Sequence, residues 1–297
     1  ILAEALTELE GGAKGIITAT GMAAVHLTTQ LLNSNDTLMI PHDCYGGSYR
    51  LFTSLEKRGL LKLEVVDFTK SESLSQILAI KPKLIWIETP SNPILRLTDI
   101  KAVTDIAKQC GALVAADNTF LSPALQNPIK FGADIVVHST TKYINGHSDV
   151  VGGAVIAATA ELGEELAWWA NNIGITGAPF DSYLTLRGLR TLNVRLRQHQ
   201  ENALAIAQYL ENSPFIAQVY YPGLESHPQH ALAKAQQFGF GAMVSFDIKG
   251  DINDAAAFLT RLNEFSLAES LGGVESLICH PATMTHAGME ATARAEA

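Results

Sequence analysis

The sequence predicts an α/β protein with a mainly parallel sheet, followed by a smaller α+β unit. Short apolar runs rich in β-branched residues alternate with helical patterns through the first half of the chain. This alternation is typical of parallel sheets whose two faces are covered by helices. After Pro214 the patterns become shorter and mixed, and 297 residues suffice for two domains. We therefore expect a large domain at 1–213, with a long linking helix, and a small domain at 214–297.

The spacing of apolar residues predicts the elements of the first part in order. Leu2, Leu6 and Leu9 predict a first helix, which Gly11 ends, and a second helix is expected to begin near Met22. Nearly continuous apolar runs then predict buried strands at 60–67, 83–90, 112–120 and 133–140, and VVGGAVIAAT predicts a further strand. The helical patterns SESLSQILAI and DIKAVTDIAKQCG lie between these runs.

The second part begins after a long helical pattern at 180–213, which is expected to break at Gly188. Beyond Pro214, IAQVYYPG and GAMVSFDI predict strands, and HALAKAQQF and INDAAAFLTRLNEF predict helices. This change from long to short units is the reason for a predicted domain boundary near Pro214.

The composition excludes several functional classes. A formal net charge of −9 provides no basic surface for nucleic acid or an anionic membrane, so small molecules or proteins are the expected partners. Three scattered cysteines form neither a disulfide framework nor a zinc pattern, and no apolar run could span a bilayer. His227 and His230 lack acidic or cysteine neighbours, so we expect no metal site. No strand precedes GxGxxG or GxxxxGK[ST], which argues against nicotinamide and P-loop sites. We expect a soluble, cytoplasmic protein.

Polar residues stand where the apolar runs of three predicted strands end, at 88–92, 117–119 and 139–142. Ligands of open α/β sheets bind beyond the carboxyl ends of the strands, so these residues are expected to converge on one edge. A carboxylate such as Asp117 requires a cation or several hydrogen-bond donors when it is buried. It either pairs with a protonated ring nitrogen or serves as a helix cap or structural ion pair, and Lys142 alone is equally ambiguous.

The neighbours of Lys142 favour a cofactor site. Ser139 and Thr141 offer hydroxyl groups, and the ATGM turn offers backbone N–H groups at a helix start, a favourable place for a phosphate. A lysine, an acidic ring partner and a phosphate cradle form the protein side of a pyridoxal phosphate site, where lysine holds the cofactor as a Schiff base. Tyr45, in PHDCYGGSYR, either stacks on the cofactor ring or is an ordinary loop aromatic.

Several segments spread along the whole chain carry a family resemblance. They are PHDCYGGSYRLF, ETPSNPILR, DNTFLSPALQNP, HSTTKYINGHSDVVGG, WWANNIGITG, FDSYLTLRGLRTL and LAESLGGVESLICHPATMTHAG. In these segments the chain resembles the Cys/Met-metabolism family of pyridoxal phosphate enzymes, and the block around Lys142 is highly specific for it. The resemblance implies the aspartate-aminotransferase type of fold (fold type I).

The resemblance also implies roles for the matching residues. Lys142 would be the catalytic Schiff-base lysine, Asp117 would pair with the pyridinium nitrogen, and Tyr45 would stack on the ring and assist proton transfer. The remaining implied contacts are the backbone N–H groups of Gly21 and Met22 with Ser139 and Thr141 for the phosphate, Asn92 for the ring hydroxyl or substrate carboxylate, Ser270 for placing Lys142, and Glu269 for the distal end of the substrate.

The activity implied by the resemblance is a γ-replacement in methionine biosynthesis by transsulfuration. We expect O-succinyl-L-homoserine and L-cysteine to give cystathionine and succinate. Elimination by a cystathionine or methionine γ-lyase, which uses the same residues, and a truncated, non-catalytic α/β binding domain stay open as alternatives. The family also implies a homo-oligomer, a tetramer built as a pair of dimers.

The ends of the sequence lead us to expect a chain truncated at both ends. The sequence starts without Met, directly in a helical pattern. The resemblance implies an upstream segment with a Tyr and an Arg that reach the phosphate in a neighbouring subunit. It also implies a downstream strand with an Arg that binds the substrate α-carboxylate, a bidentate contact that is hard to replace.

Overall fold

A seven-stranded sheet forms the centre of the first part of the chain. The computed structural model describes residues 1–285, so the last residues of the predicted small domain lie outside the described residues. The strands are β1 (Lys14–Thr18), β2 (Thr37–Pro41), β3 (Lys62–Val66), β4 (Leu84–Glu88), β5 (Leu113–Asp117), β6 (Ile135–Ser139) and β7 (Gly153–Ala157). Their order is β1-β7-β6-β5-β4-β2-β3, and only β7 runs antiparallel to its neighbours. The predicted mainly parallel α/β sheet is confirmed.

Helices cover both faces of this sheet, so side chains on both sides of each central strand are mostly buried and apolar. They are α1 (Leu2–Glu10), α2 (Gly21–Thr29), α3 (Gly46–Lys57), α4 (Ser71–Ile80), α5 (Ile100–Cys110), α6 (Ser122–Leu125), α7 (Ala160–Asn172), α8 (Pro179–Leu189) and α9 (Leu192–Glu211). Residues of α2, α3 and α7 pack on one face, against Val137 and its neighbours. Residues of α4 and α5 pack on the other face against Ile87, and α1 packs there against Val136. Each large apolar side chain buried in this way contributes about 1.5–3 kcal/mol.

The sequence patterns do not predict two of the strands, β1 and β2. The segment KGIIT of β1 is only half-buried along most of its length, and TLMIP of β2 contains only two β-branched residues and ends in proline. Both strands are defined by their partners, since β1 pairs along its whole length with β7, and β2 lies between β3 and β4. Such pairing depends on distant segments, so local sequence carries little signal for it.

The inward face of α1 differs from the expected one. Leu2 and Leu6 are buried as predicted, but Leu9 is 45% exposed and Glu10 is fully buried in its place. The Glu10 carboxylate is satisfied in the interior, because His138 Nε2 lies 2.5 Å from its Oε1 and Asn118 Nδ2 donates to the same oxygen at 3.0 Å. The burial of Glu10 therefore follows from polar partners on β6 and after β5.

The expected helix break at Gly188 is wrong. Gly188 lies inside α8, and the two helices separate at 190–191. A Cβ atom at position 188 would lie 2.0 Å from the backbone oxygen of Asn145. Close packing against the segment that follows Lys142 thus explains why position 188 is a glycine. The break between the two helices comes after Gly188.

A smaller α+β unit follows α9. Its elements are β8 (Ile216–Tyr220), α10 (His230–Gln236), β9 (Ser245–Ile248), α11 (Ile252–Leu259), β10 (Ser266–Leu267) and β11 (Leu277–Ile278). Pro214 lies between α9 and β8, as expected, yet Ala242 and Leu271 of this unit pack against Leu121, Leu192 and other residues of the first part. The division into domains at 213 and 214 therefore remains a proposal. Within residues 1–285 no helix has the length and apolar character that crossing a membrane requires.

Candidate active site

The three predicted polar segments follow adjacent strands of the sheet. Glu88 ends β4, Asp117 ends β5 and Ser139 ends β6. Asp117 is the register partner of both Glu88 and Val137 in its parallel neighbours. Side chains of register partners lie on the same face, and Ser139 follows Val137 by two residues, so all of these side chains point to one face. The structure therefore brings the segments together at one edge, as the sequence predicts.

Asp117 is a partly buried carboxylate that forms no ion pair within the described part of the chain, although the charge of His138 acts on it from a longer distance and lowers its pKa in part. Its Oδ1 accepts the backbone N–H of Thr119 at 3.0 Å, and it does not cap a helix. Burial raises the pKa of Asp117, and the hydrogen bonds from Thr119 only partly oppose this effect. A cation delivered by a ligand would stabilise the charged carboxylate, so the site suits a protonated ring nitrogen.

Lys142 lies just beyond the end of β6 and is fixed from two sides. Its Nζ donates to Ser270 Oγ at 2.8 Å, and its backbone N–H bonds to the carbonyl of Ser139 at 3.3 Å. Burial lowers the pKa of Lys142, while the negative charge of Glu269 raises it in part. The loop that carries Ser270 lies directly on the lysine backbone, because a Cβ at Gly272 would meet the Lys142 carbonyl carbon at 2.6 Å.

The start of α2 packs against the end of β6. A Cβ at Gly21 would lie 2.8 Å from Ser139 Cβ and 3.0 Å from its Oγ. Thr20 caps the helix by accepting the N–H of Ala23 at 2.9 Å. The N–H groups of Gly21 and Met22 precede that bond and have no acceptor within the helix. Together with the Ser139 hydroxyl, they form a cradle with the positive polarity that an anion requires.

The hydroxyl of Thr141 is hydrogen-bonded to the backbone. It donates to the carbonyl of Gly152 at 3.2 Å and accepts the Gly152 N–H at 3.0 Å. The hydroxyl proton is therefore engaged with backbone, whereas no described protein group bonds the hydroxyl of Ser139. The role of Thr141 as a phosphate ligand stays a prediction that requires this bond to be exchanged.

Tyr45 lies at the start of α3, beside the start of α2. Its side chain is 44% exposed, and its backbone N–H donates to Glu88 Oε2 at 2.8 Å. A Cβ at Gly47 would lie 2.5 Å from Tyr45 Cε1 and 3.0 Å from Met22 Sδ. The ring thus lies over Gly47 and near the predicted phosphate cradle, which is compatible with stacking on a bound ring.

Asn92 and Glu269 lie on loops around this edge. Asn92 is half-buried in the loop after β4, and its peptide bond to Pro93 is cis. Glu269 is exposed and close enough to act on Lys142 electrostatically. Their predicted contacts with substrate stay predictions.

The residues present fit pyridoxal phosphate. The cradle formed by Gly21, Met22 and Ser139 suits its phosphate, Asp117 suits its ring nitrogen, and the amine of Lys142 suits its aldehyde. The fit follows from complementary chemistry at one edge and from the glycine at position 21, where any side chain would enter the cradle.

The sequence analysis assigned no individual role to three contributors to this geometry, although two of them, Glu88 and Thr119, lie in the predicted site segments. Thr119 supports both strand ends, since it donates to Asp117 and its Oγ1 accepts the N–H of Ser139 at 2.9 Å. Glu88 holds the backbone of Tyr45, and Gly272 permits the contact with Lys142. The spacing of Asp117 and Thr119 is typical of a turn in which an aspartate accepts an N–H two residues on. The other two depend on long-range contacts.

Comparisons with known proteins identify related enzymes. The sequence profile described as "Cys/Met metabolism PLP-dependent enzyme" matches residues 1–297. The chain is 56% identical to the cystathionine gamma-synthase of Escherichia coli, over 100% of this chain and 77% of that protein. It is 48% identical to the cystathionine beta-lyase of Coxiella burnetii, over 96% and 74% of the two chains.

Solved structures give the same result. A cystathionine gamma synthase from Xanthomonas oryzae pv. oryzae, in complex with cystathionine, superposes with a TM-score of 0.98 at 62% identity, covering 99% of this chain and 76% of that one. A cystathionine gamma-lyase from Lactobacillus plantarum, complexed with L-serine, superposes with a TM-score of 0.96 at 39% identity, covering 99% and 77%. The chain belongs to the Cys/Met metabolism family of enzymes that depend on pyridoxal phosphate.

Proposed function

We propose that this protein catalyses a γ-replacement in which O-succinyl-L-homoserine and L-cysteine give cystathionine and succinate. The observation that carries the proposal is that the Lys142 amine, which donates to Ser270, and the carboxylate of Asp117 come from the ends of adjacent strands at one edge of the sheet. The similar Xanthomonas synthase has been solved with cystathionine and with aminoacrylate and cysteine, at 61–62% identity. These relatives support the synthase reaction for this chain.

Lys142 is the residue that moves protons in the proposed mechanism. Bound pyridoxal phosphate supplies an electron sink for the carbon that carries the substrate amino group. Lys142 Nζ would take the proton from Cα and release it before taking one from Cβ, because an amine carries only one added proton at a time; burial lowers the pKa of Lys142 and so favours the neutral form that each transfer needs. The ester group would leave Cγ as succinate, the cysteine, after losing its thiol proton to solvent, would bond to the same carbon as the thiolate, and Lys142 would deliver one proton to Cβ and one to Cα. Ser270 keeps the amine within reach during these steps.

The other residues bind and orient. The carboxylate of Asp117 would pair with the ring nitrogen and so keep that nitrogen protonated. The backbone N–H groups of Gly21 and Met22 would bind the phosphate, together with Ser139 and Thr141. Tyr45 covers the ring. Further contacts in the proposal are Asn92 to the ring hydroxyl or substrate carboxylate and Glu269 to the distal end of the substrate.

A paired assay tests the reaction. The purified chain with pyridoxal phosphate is given O-succinyl-L-homoserine and L-cysteine, and cystathionine is measured; in parallel it is given cystathionine alone, and oxoacid and ammonia are measured. The proposal predicts that cystathionine formation is the faster reaction, by tenfold or more. Faster oxoacid release from cystathionine would contradict it.

Elimination is the second candidate function. It is favoured by the number of lyases among the relatives, including cystathionine gamma-lyases of Dictyostelium discoideum and Bacillus subtilis at 47% identity. Solved synthases and lyases both share the fold of this chain. The candidate site residues of this chain are compatible with both reactions. The paired assay separates them, and a protein that stays colourless with added pyridoxal phosphate would favour the non-catalytic binding domain.

We also propose a homo-oligomer, a tetramer built as a pair of dimers, that acts in the cytoplasm. Exposed aromatic side chains on α7 and α8 support an interface between subunits: Trp168, Phe180 and Tyr183 are 58%, 69% and 60% exposed. The cysteines Cys44, Cys110 and Cys279 are free thiols, which agrees with a reducing compartment.

A further inference from the structure

The loop that carries Tyr45 is anchored on the end of β4 through two buried carboxylates. Glu88, the last residue of β4, is 5% exposed and accepts the Tyr45 N–H at 2.8 Å. Asp43 is 4% exposed, and its Oδ2 accepts the Ser91 hydroxyl at 2.6 Å and lies 3.3 Å from Arg96 Nη1. The position of Tyr45 therefore depends on residues that follow the fourth strand, far away in sequence.

Glu88 and Asp43 differ in their charge environment. Asp43 has the guanidinium of Arg96 within ion-pair distance, whereas no lysine, arginine or histidine of residues 1–285 is that close to Glu88. Glu88 is also the register partner of Asp117 on the adjacent strand. A charged Glu88 would place two carboxylates side by side on one face of the sheet, with a third, Asp43, nearby.

The surrounding groups support a neutral Glu88. Burial, followed by the charges of Asp117 and Asp43, raises the pKa of Glu88 well above its usual range, although the Tyr45 N–H opposes the effect. Asp43 is paired with Arg96, and Asp117 is proposed to pair with the ring nitrogen of the cofactor. Glu88 has no such cation within the described residues, so it is the carboxyl group of the three that is expected to stay protonated.

We propose that Glu88 is a positioning residue that acts as a neutral carboxylic acid: it fixes the backbone of Tyr45, and so holds the Tyr45 ring over the cofactor, while it leaves Asp117 as the carboxylate that pairs with the ring nitrogen. The inference rests on the proposed placement of the cofactor ring beneath Tyr45. It assigns a function to the first residue of the ETPSNP segment, which the γ-replacement mechanism does not use.

Substitutions at Glu88 separate a neutral from a charged role. Glu88→Gln keeps an acceptor oxygen without charge, and Glu88→Leu removes the acceptor at similar size. Pyridoxal phosphate is removed from each purified variant and titrated back, its dissociation constant is measured, and the circular dichroism of its visible band reports the orientation of the ring. We expect Glu88→Gln to bind pyridoxal phosphate with a dissociation constant within about twofold of that of the parent chain. Glu88→Leu should bind it about tenfold more weakly, with a smaller circular dichroism band, because it loses one buried hydrogen bond.

A double-substitution cycle with Tyr45→Ala tests whether Glu88 acts through Tyr45. We expect Tyr45→Ala alone to weaken binding, and Glu88→Leu to add little once Tyr45 is alanine. Glu56→Leu is the matched control. Glu56 lies on α3, the helix that begins after Tyr45, and it accepts the backbone N–H of Leu63 at 3.0 Å, away from the site. That control should leave the dissociation constant and the band unchanged, and urea unfolding establishes that each variant is folded.

Three results would overturn the proposal. Equal losses in Glu88→Gln and Glu88→Leu would mean that the charge of Glu88 is needed, and full additivity with Tyr45→Ala would mean that Glu88 does not act through Tyr45. Unchanged cofactor binding in Tyr45→Ala would refute both the placement of the ring and the role of Glu88. The γ-replacement itself is judged separately by the paired assay, so either conclusion can fail alone.

Discussion

At the residue scale, burial acts in opposite directions on Lys142 and Asp117. It lowers the pKa of Lys142 and raises the pKa of Asp117, so the neutral form of each group gains at the same sheet edge. A neutral amine is the form that attacks an aldehyde, and a cationic ring nitrogen restores the charge of the carboxylate. A ligand that has both an aldehyde and a cationic ring nitrogen can therefore react with Lys142 and pair with Asp117 at the same time.

Glu269→Gln is expected to shift the reactivity of the Lys142 amine to lower pH. Only the deprotonated amine reacts, and the charge of Glu269 raises the pKa of Lys142 against the lowering by burial. Without that charge the pKa falls further, so the deprotonated form is present at lower pH. The measurement is the pH dependence of Lys142 modification by an amine-selective reagent in cofactor-free protein, followed by peptide mass spectrometry. Glu264→Gln, at an exposed position whose charge has no resolved effect on Lys142, is the control; an unchanged profile in Glu269→Gln would contradict this account.

At the element scale, the site depends on helix starts and strand ends that come from separate parts of the sequence. The N-terminus of α2 contacts the end of β6 through Gly21 and Ser139, which lie far apart in the sequence. The close approach directs N–H groups and a hydroxyl toward one place, so the cradle is a property of the contact between two elements.

Gly21→Ala is expected to weaken pyridoxal phosphate binding by about tenfold or more, with a much smaller effect on pyridoxal, which lacks the phosphate. The added methyl group would lie 2.8 Å from Ser139 Cβ, so the helix start must move away from the strand end. Gly46→Ala is a matched control at the first position of α3, where the nearest atoms lie at 3.4 Å. Equal loss of affinity for both ligands would contradict a phosphate cradle at this contact.

The sequence predicts the chemistry of the site better than the contacts that support it. The residues after β4, β5 and β6 could be predicted because parallel strands bring their carboxyl ends together. The contact of Glu88 with Tyr45 and the burial of Glu10 against His138 could not, since they require the register of distant elements. The strands β1 and β2 were missed for the same reason, as neighbouring strands define them.

At the scale of the whole molecule, the exposed aromatic side chains of α7 and α8 are expected to lie at subunit contacts. Trp168→Glu places a charge where burial in an interface would be costly, so the proposed tetramer should shift toward dimer or monomer. Size-exclusion chromatography with light scattering measures this shift. Phe215→Glu, at a position that is 76% exposed in the smaller unit, is the control. If the Trp168→Glu protein has the same mass in solution as the parent assembly, Trp168 does not lie in the interface.

The whole account depends on a single covalent link between the Lys142 amine and the aldehyde of the cofactor. The most direct measurement is borohydride reduction of the coloured protein, followed by protease digestion and mapping of the peptide that carries the cofactor. The account predicts loss of the visible band and one modified peptide, containing Lys142, with no modification in Lys142→Arg. A modified peptide from another part of the chain, or a Lys142→Arg protein that is labelled like the parent, would contradict it.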